Sequence, residues 1–167
     1  MNRTARLVLV LALTVSAAAC GKKKEDGGSA AAGGGGGDKP AAASSIKLDK
    51  VAGLSIDVPG GAEVGAGMGD GSMLTGPEIG AMSVEVAKAA KTLDEVKTDA
   101  NDYTPQHLKD EKLADGFAVT WDNSGSMGAN FFVEVHRTIG GKPIHCSTTV
   151  SKQSQADAVL TACKSIK

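Results

Sequence analysis

Residues 46–167 are expected to form an α+β domain, an antiparallel sheet with helices packed on it. Three observations predict this class. Short runs alternate between apolar and polar residues, a Gly140-Gly141 pair joins two such runs, and two apolar stripes recur at helical spacing.

The elements follow in chain order. Leu54, Ile56 and Val58 alternate with Ser55 and Asp57 and end at Pro59-Gly60-Gly61, the pattern of a strand and turn. Met82, Val84 and Val86 alternate with Ser83 and Glu85 as a second strand. Thr92-x-x-Glu95 is a capping box, in which each residue satisfies a backbone amide of the other; Leu93, Val96, Ala100 and Tyr103 then share one helical face. Phe117, Val119 and Trp121 mark a further strand, ending in the turn-rich stretch Asp122-Asn123-Ser124-Gly125-Ser126.

The hairpin of residues 131–150 is the most fully specified piece. Two central glycines suit a two-residue turn whose middle positions both need positive φ. That turn sets the register: Ile139 faces Lys142, Arg137 faces Ile144, Val135 faces Cys146 and Val133 faces Thr148. Phe131, Val133, Val135, Ile144, Cys146 and Val150 therefore share the core face. From Ser154 to Lys167 a last helix is expected, capped by Ser154 with Asp157 at its third position. Its stripe carries Ala156, Val159, Leu160, Cys163 and Ile166 or Lys167. Cys146 and Cys163 point into one core by separate routes, so a disulfide between them would dock the last helix on the hairpin; the alternative is two free buried thiols.

Strands, a helix, a three-stranded meander and a final helix: this order resembles the Mog1/PsbP-like α/β/α sandwich. The stretch from Ile139-Gly140-Gly141-Lys142 through His145-Cys146 to Ala162-Cys163-Lys164-Ser165-Ile166 carries the resemblance. It implies an accessory or binding role and transfers none to a named residue.

Residues 1–19 follow an export pattern. Arg3 and Arg6 precede an apolar run from Leu7 to Val15, then Ser16-Ala17-Ala18-Ala19-Cys20. The apolar part is short of the about 20 residues a membrane-spanning helix needs. Ala17-x-Ala19 fits an ordinary secretory cleavage site, and the segment also resembles a bacterial lipobox, whose Cys receives a diacylglycerol; the usual Leu three before the Cys is here Ala17. Of the three cysteines, lipidation of Cys20 would leave Cys146 and Cys163 as an even pair in an oxidising compartment. Gly21 replaces the Asp of the best-known inner-membrane retention rule, which leans the expectation to the outer membrane. Lys22, Lys23 and Lys24 are either attracted to anionic headgroups or simply begin a spacer. Residues 20–45, with Gly33 to Gly37 in one run, read as a lipidated Cys and a flexible Gly/Ala/Lys-rich tether with a reach of roughly 25–30 Å. The expected place is thus the cell envelope, with the domain in the periplasm or at the cell surface and the membrane as its partner through Cys20.

Charge narrows the partners. From Ile46 onward 12 basic residues meet 16 acidic ones, a net charge of −4 in a chain that sums to −1. An acidic domain offers no basic stripe for nucleic acid. An envelope protein or a small ligand fits better.

One constellation carries possible chemistry. The hairpin register sets His136 opposite His145, on the face away from Cys146, with Glu134 two residues along on the same side. Opposed Cβ atoms stand about 4.5–5.5 Å apart, which suits two imidazoles sharing a metal. Two His and a carboxylate can hold Zn²⁺ or Cu²⁺ with an open position. The plainer alternative is a cross-strand pair, partly exposed or partly covered by the Thr92–Tyr103 helix and Phe132. His107, after Pro105, shows no partner in the sequence. The run Gly65-Ala66-Gly67-Met68-Gly69-Asp70-Gly71 matches neither dinucleotide nor Walker spacing and reads as a mobile hairpin loop, with Met68 and Met73 available to line a ligand mouth. Ser44-x-x-Lys47 has none of the companion motifs of a penicilloyl-serine enzyme. With no G-x-S-x-G, H-E-x-x-H or C-x-x-C, the expectation is a non-enzymatic binding or accessory domain without a resident cofactor; the alternative is a periplasmic Zn or Cu binder using His136, His145 and Glu134.

Overall fold

The computed structural model describes residues 42–126 and 128–167. The expected leader, Cys20 and the tether up to residue 41 lie outside the described residues. Within them the domain begins at Ser44, where β1 (Ser44–Leu48) pairs antiparallel with β2 (Leu54–Val58), setting Ile46 opposite Ile56 and Leu48 opposite Leu54.

Seven further strands make one sheet: β3 (Glu63–Ala66), β4 (Ser72–Gly76), β5 (Gly80–Val86), β6 (Gln106–Leu113), β7 (Gly116–Gly125), β8 (Gly128–Ile139) and β9 (Lys142–Val150). Their spatial order is β3-β4-β5-β9-β8-β7-β6, and every neighbouring pair is antiparallel. The last strand therefore lies in the middle, between β5 and β8. α1 (Leu93–Ala100) continues into a 3₁₀ turn at Asn101–Tyr103, and α2 (Gln153–Lys164) follows β9.

An α+β architecture with an antiparallel sheet and two helices is thus present. The β8–β9 hairpin has the expected register throughout, including Val135 opposite Cys146 and His136 opposite His145. The reason is local: Gly140 and Gly141 take φ of 58° and 76°, as the primed turn requires. The meander after α1 has four strands, however, not three. β6 went unseen because its sequence, QHLKDEKL, is charged and mostly exposed, with only Leu108 and Leu113 partly buried. Such polarity suits an edge strand, where an unpaired backbone row would otherwise invite another chain.

Each sheet face has its own core. On one, Val133, Val135, Ile144 and Cys146 pack with Leu48, Ile56 and Val58 of the β1–β2 hairpin and with Ala156, Val159 and Cys163 of α2. The Cys146–Cys163 disulfide crosses this core with a Cα–Cα distance of 5.8 Å. On the other face Val96 and Ala100 of α1 cover Val119 and Trp121, flanked by Leu93, Leu108, Phe117 and Phe132. The expected capping box starts α1: Thr92 Oγ1 accepts from the Glu95 amide at 3.3 Å and Glu95 Oε2 accepts from the Thr92 amide at 2.7 Å.

α2 departs from expectation at both ends. Lys152, not Ser154, holds the N-cap position and makes no side-chain cap. The chain leaves β9 at Val150 and is already helical by Gln153, which puts Ser154 inside the first turn; Asp157 accepts instead from Gln153 Nε2 at 2.8 Å. The helix stops at Lys164, and Lys167 leaves it to exchange two backbone hydrogen bonds with Ser55 of β2, at 2.8 and 3.0 Å. Among the described residues no helix is long and apolar enough to cross a membrane.

Candidate functional site

Strand alternation sends consecutive side chains to opposite faces. With Cys146 turned toward α2, its neighbour His145 and, on β8, Glu134 and His136 must point to the α1 side. There the antiparallel register lines up a row across four strands: Glu85 of β5 beside His145 of β9, His136 of β8 and Phe117 of β7. The rings stack along it. His136 and His145 have centroids 4.6 Å apart and planes 14° from parallel, and Phe117 covers the other side of His136 at 5.3 Å.

His145 sits between two carboxylates. Its Nδ1 lies 3.2 Å from Glu85 Oε1, and its Nε2 forms a short contact with Glu134 Oε2. Both nitrogens face carboxylate oxygens, which accept when ionised, an arrangement that suits an imidazolium. Burial disfavours that charge, but Glu134 first and Glu85 second outweigh it, so the pKa of His145 is raised. For Glu134, burial works against ionisation, yet the two imidazoles overcome it and hold the carboxyl at about 2.

His136 is different. It is 9% exposed, and its Nε2 stands 3.4 Å from Glu134 Oε2 without the alignment of a hydrogen bond. Among the described residues only two buried side-chain polar atoms have no partner: His136 Nε2 and Trp121 Nε1. Both belong to this face. A buried nitrogen without a partner forfeits roughly 1–3 kcal/mol of solvation, so its retention needs a reason.

Two cavities flank the row. One, about 350 Å³, lies under α1 and is lined by Tyr103, Trp121, Phe132, Glu134 and His145. The other, about 580 Å³, is lined by Met68, Gly71, Glu85, His136 and His145. Lys91 borders both, with its ammonium 2.7 Å from Asp99. Of the glycine-rich run, Gly65 and Ala66 end β3 and residues 67–71 form the turn of the β3–β4 hairpin, the hairpin loop expected there. Gly71 presses against β5: a Cβ there would stand 3.1 Å from the Val84 carbonyl and 3.2 Å from Glu85 Cβ. Met68, 89% exposed, overhangs the larger cavity.

The structure thus brings together Glu134, His136 and His145, whose ligating atoms all lie within 4.8 Å of one another. Glu85 joins them; its pairing with β9 spans 60 residues of chain, and a local pattern cannot show it. Tyr103, Trp121 and Phe132 form an aromatic wall, Trp121 and Phe132 stacked at 4.9 Å and Tyr103 over Phe132 at 5.4 Å. His107 is not partnerless: it lies on β6 at a bulge, at φ 48°, with Nδ1 2.9 Å from Asp122 Oδ1. It stands apart from the row. No family model matches the chain, and neither a curated protein nor a solved structure matches it.

Proposed function

We propose that the chain is an exported lipoprotein of the bacterial cell envelope, held to a membrane through acylated Cys20, with a non-enzymatic domain that takes its ligand on the histidine face. The observation that carries the binding role is the pair of partnerless buried nitrogens, His136 Nε2 and Trp121 Nε1, on the one sheet face that also holds the two cavities. A ligand on that face supplies the partner that His136 Nε2 lacks, and Trp121 Nε1, which can only donate, needs an acceptor in the cavity under α1.

The anchor rests on cysteine chemistry. The Cys146–Cys163 bond accounts for two of the three cysteines and suits an oxidising compartment, which leaves Cys20 for the lipid. The helix-on-sheet-on-helix layering is compatible with the Mog1/PsbP-like α/β/α sandwich, whose accessory and binding roles agree with this reading. Gly21 after the lipidated residue favours the outer membrane, with the domain in the periplasm or at the cell surface. An acidic domain speaks for an envelope protein or a small ligand as partner and against nucleic acid.

Intact-mass measurement of the chain extracted from bacterial membranes, without reductant, tests the anchor. Acyl chains on an N-terminal Cys20 and a mass two hydrogens below that of the free thiols support it, and Cys20→Ser should move the protein to the soluble exported fraction. A mature chain beginning elsewhere, or a bare Cys20, overturns it.

A further inference from the structure

We propose that the ligand of the histidine face is a divalent transition-metal ion, Zn²⁺ or Cu²⁺, held by Glu134, His136 and His145, with Glu85 positioning His145 from behind. This rests on the reading of that face as the binding site and names the class of ligand it takes.

The donor set comes first. One carboxylate and two imidazoles are ordinary ligands for these ions, and three protein ligands leave a position open. At metal–ligand distances of about 2.0–2.2 Å, tetrahedral geometry separates neighbouring ligand atoms by about 3.3 Å. His136 Nε2 and Glu134 Oε2 already stand 3.4 Å apart, and all three ligand atoms lie within 4.8 Å. To share one ion, the short His145 Nε2–Glu134 Oε2 contact must open to that spacing and the two stacked rings must tilt out of parallel so that both Nε2 lone pairs converge.

The partnerless nitrogen is the second, independent observation. His136 Nε2 is buried, makes no hydrogen bond to any described residue, and lies 3.4 Å from Glu134 Oε2, the oxygen that His145 Nε2 also contacts. A histidine kept only for packing against Phe117 would gain nothing from that nitrogen. A metal ion would satisfy it.

Glu85 supplies the third. A metal-bound imidazole commonly donates its remaining N–H to a carboxylate, which fixes the tautomer and aims the ligating nitrogen. His145 Nδ1 makes that contact with Glu85 at 3.2 Å, leaving Nε2 for the ion. When metal binds, the ion takes the His145 Nε2 lone pair and any proton held there is released to solvent. Two carboxylates then balance a doubly charged ion beside two neutral imidazoles, so the partly buried site carries no net charge. Lys91, which borders both cavities, is already engaged by Asp99. His136 and His145 line the cavity under Met68, and Glu134 and His145 line the one under α1, so water or a second ligand can reach the cluster.

The test uses the full chain in detergent, stripped with chelator and titrated with Zn²⁺, Cu²⁺ and, as a visible probe, Co²⁺. One ion per chain is expected, with the intense visible bands of four-coordinate Co²⁺. His136→Gln and His145→Gln should each weaken binding at least about 100-fold. Glu85→Gln should keep one site and weaken it about 10–100-fold, the usual effect of losing an orienting partner, while His107→Gln should change nothing. Circular dichroism and the intact disulfide verify that each variant is folded. No uptake, or uptake indifferent to both histidine substitutions, overturns the site; unchanged affinity in Glu85→Gln overturns the role of Glu85. Acylation of Cys20 is measured separately, so loss of the metal site and loss of the anchor remain distinguishable.

Discussion

Replacing Arg137 by methionine should be among the costliest single changes on the disulfide face. Arg137 stands at the end of β8 with its side chain 15% exposed. Nε and Nη2 grip Asp115 at 3.0 and 2.9 Å, while Nη1 donates to the carbonyls of Lys164 at 2.8 Å and Ile166 at 2.7 Å, with Cys163 more distant at 3.4 Å. One guanidinium thus ties the β7 approach to the C-terminal end of α2, where helix carbonyls lack partners and positive charge is favourable. Methionine keeps the stem and deletes every donor. Two short charge-assisted bonds to half-buried carbonyls contribute about 1–1.5 kcal/mol each. The Asp115 pair adds less than about 1 kcal/mol, because that carboxylate is 32% exposed and solvent screens it. The expected loss is therefore about 3 kcal/mol, or roughly 10–15 °C in Tm for a domain of this size.

Urea unfolding with the disulfide intact measures the loss, followed by fluorescence of Trp121, the single tryptophan in the chain. Asp115→Asn should cost only about 1 kcal/mol. Its cost should also depend on pH. The hydrogen bond from Arg137 holds the Asp115 carboxyl below its ordinary value. A depressed carboxyl contributes stability above its unfolded pKa of about 3.9 and loses it as pH falls toward the native value. Wild type and Asp115→Asn should therefore differ by a constant amount from about pH 5 to 8, begin to converge as pH falls below the unfolded value of about 3.9, and coincide only below the lowered native value. If Arg137→Met costs under about 1 kcal/mol, or no more than Asp115→Asn, the carbonyls are not held as described.

Three further outcomes are expected. Reducing the disulfide, which closes a separation of 17 residues, should lower stability by about 3 kcal/mol on the chain-entropy estimate; equal urea midpoints for oxidised and reduced chains would contradict this. Gly116→Ala places a Cβ 1.9 Å from the His136 carbonyl, so the β7–β8 pair must part, at a cost of at least about 2 kcal/mol by thermal melting; a wild-type Tm would show that the strands are not so close. In the metal-free chain the His145 ring should titrate above an ordinary histidine by NMR, lending stability that is full below the unfolded pKa of about 6.5 and fades as pH rises through the native value; a normal or lowered midpoint would remove Glu134 and Glu85 as its partners.

What could be read from the sequence was whatever is written locally. The two-glycine turn sets every pairing from Phe131 to Val150, so the opposed histidines and the inward cysteine follow from counting. The capping box at Thr92 is equally local. By contrast β3, with all four residues exposed, and the charged β6 carry no alternation, because an edge strand against solvent has no apolar face to declare. Glu85 looked like any polar residue of a half-buried strand until the fold set β5 beside β9. His107 found Asp122 only because a bulge in β6 swings its backbone to positive φ, a feature no spacing rule anticipates. Local chemistry named three members of the histidine cluster; long-range pairing supplied the fourth.

His145 and Cys146 are neighbours in the chain and occupy opposite sides of one strand. A single residue added to the Gly140-Gly141 turn would roll β9 over, turning the sulfur toward the α1 side and the imidazole into the α2 core. The covalent tie to α2 opposes such a slide, acting as a locating pin whose benefit is felt on the far surface. A cell that failed to oxidise Cys146 would loosen the floor beneath His145 as well, so the redox history of one face is carried into the geometry of the other.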